Sequence, residues 1–165
     1  MRFLVRERVF GVGDDFWVED EHGRRVFLVD GKKLRLRQTF QLKDENHEVV
    51  TVVRRRMVSL WPTMDVLHGR HGERLVTVRK KRFTLLRDRF RVRPADGGDM
   101  TVHGNVLDKE FDIERDGRRL ARVSRKWFRI HDTYAVDIDE REPDADVPTL
   151  LSVAISVDAL TERRE

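Results

Sequence analysis

The chain has 165 residues, of which 39% are hydrophobic and 39% charged, with a formal net charge of +4 and no cysteine. That is enough chain for one domain, read here as 1–165, and its Val, Leu, Ile and Phe are too plentiful for a disordered segment. Without cysteine there is no disulfide framework and no thiolate metal site, and nothing argues for an oxidising compartment.

In chain order, "MRFLVRERVFGVGDD" opens with charges scattered through its apolar positions, where a secretory leader would be uninterrupted. The expectation is a cytoplasmic protein, with a peripheral place at a membrane left open. Period-2 alternation then dominates. Strands are predicted at "RFLVRE" (2–7), "DFWVED" (15–20), "RRVFLVD" (24–30), "KLRLRQTF" (33–40) and "HEVVTVV" (47–53). They continue at "RMVSLW" (56–61), "MDVLHG" (64–69), "RLVTVRK" (74–80), "RFRVRP" (89–94) and "MTVHGN" (100–105). The last are "FDIERD" (111–116), "RRLARVSRKW" (118–127) and "TYAVDID" (133–139). In "RRLARVSRKW", Leu120 falls out of step with Val123, which predicts a bulge or bend.

Gly-, Asn- and Asp-rich turns separate these runs, and no linker divides the chain. About a dozen short strands at near-regular spacing suggest an antiparallel meander that closes on itself, which removes exposed edges. The chain ends in "LLSVAISVDAL" (150–160), apolar in every direction and about half the length of a membrane span. Asp146 is the predicted N-cap, with Pro148 in the first turn. A helix with no polar face must be buried on all sides. Leu150, Leu151, Val153, Ala154, Ile155, Val157 and Leu160 are therefore read as the core, threaded through the barrel. Ser152 and Ser156 can return their hydroxyls to carbonyls one turn back. A buried strand is the rival, since Val153, Ile155 and Val157 also alternate.

An ordered set of small motifs runs through the first half: Asp20/Gly23, Val29/Gly31/Lys32, Leu42/Asp44, and Arg54–Arg56 followed by Pro62, Met64 and Val66. With "VHGNVLDKEFDIERDGRRLARVSRKW" (102–127) and the apolar closing helix, this resembles the LURP-one-related family, within the tubby C-terminal-like superfamily. Asn46 stands where that family often has Gly. The resemblance implies a closed barrel of 12 strands around a hydrophobic C-terminal helix. It implies less about activity: tubby-type members bind phosphoinositides, related scramblases act at membranes, and many relatives have no assigned activity.

Enzyme signatures are sparse. "GVG" (11–13) lacks a third glycine and reads as a turn. "HGRH" places His68 and His71 in a glycine-rich hairpin with no third ligand in sequence. "DIDEREPDAD" (137–146) lacks the spacing of a calcium loop and reads as an acidic linker capping the helix. No catalytic residue, metal ligand or cofactor is expected.

The charge distribution is the most informative feature. Between Arg54 and Arg93 there are 13 Lys+Arg and 3 Asp+Glu, whereas the rest of the chain holds 21 and 27. Arg54, Arg56, Arg79, Lys80, Lys81, Arg82, Arg87, Arg89 and Arg91 are the candidate anion-binding residues, on adjacent strands. Alternation puts Arg87, Arg89, Arg91 and Arg93 on one strand face. Such a face attracts anionic phospholipid headgroups or another phosphorylated ligand. Nucleic acid ranks lower, because alternation turns Phe90 away from the arginines and leaves no stacking platform there. The plain alternative is a solvated barrel wall. The expectation is a non-catalytic binding or scaffold module; the alternative is a small-ligand carrier or enzyme with a site at a barrel end.

Overall fold

The computed structural model describes residues 1–7, 15–31, 38–81, 89–125 and 133–161. The alternating runs become twelve strands: β1 (Arg2–Glu7), β2 (Phe16–Asp20), β3 (Arg25–Gly31), β4 (Thr39–Lys43), β5 (Val49–Arg55) and β6 (Thr63–His68), then β7 (Arg74–Lys81), β8 (Arg89–Pro94), β9 (Met100–Asn105), β10 (Glu110–Arg115), β11 (Arg118–Ser124) and β12 (Thr133–Ile138). Each pairs antiparallel with its neighbours in sequence, and β1 pairs with β12, so the sheet closes into a barrel. At that seam Phe3 lies opposite Val136 and Val5 opposite Tyr134, and the Met1 ammonium donates to the Ile138 carbonyl at 2.8 Å.

Period 2 turns one set of side chains inward. Val5, Val18, Val29, Val53, Val66, Val78, Ile113 and Val136 are all fully buried. The predicted bulge is present: Ile113 pairs with Ala121 and Glu114 with Arg119, which leaves Leu120 as the extra residue. Two glycines permit close backbone approach. A Cβ on Gly69 would sit 1.9 Å from the Val49 carbonyl oxygen, and one on Gly104 would sit 2.5 Å from that of Glu110.

The closing segment is a helix, α1 (Val147–Thr161), not a strand. It touches β5, β6 and β7 on one side and β11 and β12 on the other, so it occupies the lumen. Leu150, Leu151, Val153, Ala154, Ile155, Val157 and Leu160 are all buried. Each of the larger ones is worth roughly 1.5–3 kcal/mol of transfer from water. The Asp146 carboxylate accepts from Thr149 N at 3.0 Å, making it the N-cap. Ser152 and Ser156 donate to the carbonyls of Pro148 and Ser152, both at 2.7 Å. Ser152 Oγ also lies 2.7 Å from Thr51 Oγ1 on the inner wall. Every buried hydroxyl on the helix is thereby satisfied, as burial requires.

Three strand expectations need adjustment. Of the predicted 33–40, residues 33–37 lie outside the described set and Gln38 is outside the strand; β4 runs Thr39–Lys43, three residues further than predicted. β11 stops at Ser124, short of the predicted 127. "RMVSLW" (56–61) is no strand: it is the connection between β5 and β6, and it lacks a partner strand.

Candidate functional site

Antiparallel closure sends the twelve strand ends alternately to two barrel ends, and the connections at those ends differ in kind. At one end run 21–24, 44–48, 69–73, 95–99, 116–117 and the lead into α1, 139–146. These carry 13 acidic and 3 basic residues and not one Val, Ile, Leu, Met, Phe, Trp or Tyr. At the other end the strands are joined by 8–15, 32–38, 56–62, 82–88, 106–109 and 125–132. These carry 12 basic and 5 acidic residues and 17 of those large apolar types. Much of the second group lies outside the described residues, so the site is built from what surrounds it.

The acidic end is internally committed. Asp139 accepts from the Arg141 side chain at 2.9 Å, and this holds its carboxyl down to about 2. Arg118 pairs with Glu142 at 3.6 Å, Arg115 with Asp144 at 3.9 Å, and Asp146 caps α1. The stretch "DIDEREPDAD" therefore serves as a helix lead-in. His68 and His71 stack at 4.9 Å, and His68 Nδ1 accepts from the backbone of Arg70 and His71, a local turn arrangement.

On the outer wall register places the predicted cations in rows. Toward the basic end Lys81 on β7 lies opposite Arg89 on β8 and Arg79 opposite Arg91, while Arg93, opposite Thr77, lies nearer the acidic end. Arg54 on β5 lies opposite Asp65 on β6, which lies opposite Thr77. Among the described residues Arg54, Arg79, Lys81, Arg91 and Arg93 form no ion pair, and Arg79 Nε has no acceptor. Elsewhere arginines are paired across strands: Arg2 with Asp137, Arg6 with Glu19, Arg122 with Asp112. Among the described residues Arg25 on β3 and Arg119 on β11 also lack an ion pair, but on β7 and β8 such cations face each other, Arg79 directly opposite Arg91.

Two predicted residues are placed differently from their neighbours. Arg56 is bound by both carboxylate oxygens of Asp65, at 2.7 and 3.1 Å; this hydrogen bonding raises its already high pKa and neutralises its charge. Lys80 alternates inward with Val76 and Val78, and its Nζ donates to the Leu160 carbonyl at 3.2 Å, a cap on the C-terminus of α1. Beside it Lys109 pairs with Asp158 at 3.2 Å and lies over the Tyr134 ring. Arg82, Arg87 and the Arg89 side chain lie outside the described residues. Phe83 does too, while Phe90 is buried as alternation requires and Trp61 is half-buried.

Sequence reasoning missed the β5–β6 connection as a surface feature. Met57, Val58 and Leu60 are 61%, 91% and 96% exposed, next to the unpaired arginines. The signal available was the tripeptide Arg54–Arg56 running straight into an apolar stretch that ends at Pro62, which breaks a ladder.

No described helix is long and apolar enough to cross a membrane. Residues 1–158 match the model of a family described as LURP-one-related. The chain is similar to an uncharacterised protein of Bacillus subtilis (strain 168), YxjI, at 23% identity over 158 residues, covering 96% of this chain and 92% of the relative. Its fold is similar to an Arabidopsis thaliana protein solved by X-ray crystallography, with a TM-score of 0.70 and 17% identity, covering 98% of this chain and 91% of the other.

Proposed function

The chain belongs to the LURP-one-related family, and from that premise we propose that it is a non-catalytic binding module whose basic end meets anionic phospholipid headgroups. The observation that carries the reading is the set of outward cations without an ion pair, Arg79, Lys81 and Arg91 on the adjoining β7 and β8, with Arg54 two strands away on β5. Mutual repulsion makes such a cluster costly unless an anion neutralises it. A headgroup layer supplies many phosphates at once, and each basic residue near it contributes about 1 kcal/mol. The opposite end carries the acidic surplus, so an anionic surface attracts one end of the barrel and repels the other.

The test is co-sedimentation with vesicles of graded phosphatidylserine content, at low and physiological salt. The variant is Arg79→Glu with Lys81→Glu and Arg91→Glu; Lys80 is left alone because it caps α1. Binding should rise with phosphatidylserine, fall with salt and disappear in the variant. A parent that sediments equally with neutral vesicles, or with none, overturns the reading. The search then moves to the alternative, a small-ligand carrier or enzyme working at a barrel end.

A further inference from the structure

Exposed apolar side chains on this barrel gather at one end. Met57, Val58 and Leu60 in the β5–β6 connection and Leu107 in the β9–β10 connection belong to the basic end; among the described residues the remaining large one is Met1. Single exposed hydrophobes are ordinary, but a cluster rimmed by polar groups marks a surface that meets something.

The connection is also well anchored. Arg56 N donates to the Thr63 carbonyl at 2.9 Å, and the Arg56 side chain grips Asp65. Thr63 Oγ1 donates to the Trp61 carbonyl at 2.8 Å and lies 3.1 Å from Ser59 Oγ. These bonds close the base of the loop and leave Val58 and Leu60 at its tip. A tip held this way needs little further ordering when it binds.

We propose that the β5–β6 connection is a membrane wedge, with Val58 and Leu60 entering the apolar boundary of an anionic bilayer while Arg79, Lys81 and Arg91 hold its headgroups. This rests on the headgroup reading above and adds an orientation: the barrel stands on its basic end, with the acidic end facing away. Charge decides the occupant. A second copy could offer its acidic end to the cations, but the connections there carry no large apolar side chain, and among the described residues the exposed one at that end is Met1, bonded to Ile138, too little to cover both Val58 and Leu60. A bilayer offers anionic charge and an apolar layer within a few ångströms of each other. Trp61, half-buried beside the tip, suits the boundary between them.

Because the chain has no cysteine, Val58→Cys creates a single thiol for an environment-sensitive fluorophore. With phosphatidylcholine–phosphatidylserine vesicles the emission should shift to the blue, and lipids carrying a nitroxide just below the headgroup should quench it. A second variant, Val58→Ser with Leu60→Ser, should melt like the parent yet partition about tenfold or more weakly into the same vesicles. Protein that sediments with vesicles while its fluorophore stays in water overturns the wedge and leaves headgroup binding standing. Protein that does not sediment at all overturns both. A blue shift without lipid, accompanied by a doubled mass, assigns the tip to a second copy and also overturns the wedge.

Discussion

The two ends of this barrel are built on the same twelve strands, yet they spend their connections differently. At the acidic end several carboxylates are taken up locally: Asp139 by Arg141, Glu142 by Arg118, Asp146 by the start of α1. The basic end carries apolar side chains into solvent and leaves cations on the adjoining wall without acid partners among the described residues. Strands fix the barrel, and connections are free to differ because they contribute little to its core. The basic end exposes Leu60 and faces Arg79 with Arg91, the features on which the proposed membrane contact rests.

On the proposed reading the core and the acidic end are sites of stability lesions, and the basic end a site of binding lesions. The largest expected effect comes from deleting 148–165, which removes the lumen's filling. The product should lack cooperative unfolding in a circular dichroism melt; a soluble truncation with a sharp transition would contradict a barrel built around α1. Ile155→Asp buries an unpaired charge and should destabilise by something on the order of 4 kcal/mol in urea titration. A loss below about 1 kcal/mol would mean that position 155 reaches water.

Smaller effects separate the ends directly. Asp146→Ala should cost about 1 kcal/mol through the lost cap. Val58→Ser with Leu60→Ser should stay within about 0.5 kcal/mol of the parent, since both side chains are already exposed. Equal losses in the two variants would erase the distinction between a structural end and a binding end. The smallest effect is one of pH. Hydrogen bonding from Arg141 holds the Asp139 carboxyl at about 2, below its ordinary value of 3.8. Its contribution is therefore present above about pH 4 and fades as pH falls through 2. The Tm of Asp139→Asn should lie below the parent's at pH 6 and converge with it near pH 2; a constant gap would detach the effect from this carboxylate.

Much of the fold was legible because its signals are local. Alternation marked the strands, the misfit of Leu120 with Val123 marked the bulge, and Asp146 with an all-apolar run marked the capped, buried helix. "RMVSLW" misled because apolar content alone resembles a strand, while a strand also needs a neighbour, which is a tertiary fact. Arg56 looked like a free cation because its partner, Asp65, is set by the register of β5 on β6. Lys80 was readable in principle. Grouped with its neighbours as "RKKR" it is one charge among four, but counted by twos from Val76 and Val78 it points inward. Charge runs hide strand parity.

The position of α1 has a consequence for how the molecule comes into being. The helix that fills the lumen follows all twelve strands in the chain, and the seam joins β1 to β12, so both the filling and the last hydrogen-bonded ladder wait until every earlier strand has been made. Nearest-neighbour hairpins can form as they leave the ribosome, but closing the seam brings together the most distant strands, the kind of contact that slows folding. Until residues 147–161 emerge, the inward Val, Leu and Phe have one another and no centre. The nascent barrel should remain open to protease until then, and exposed to aggregation in cells that translate it slowly.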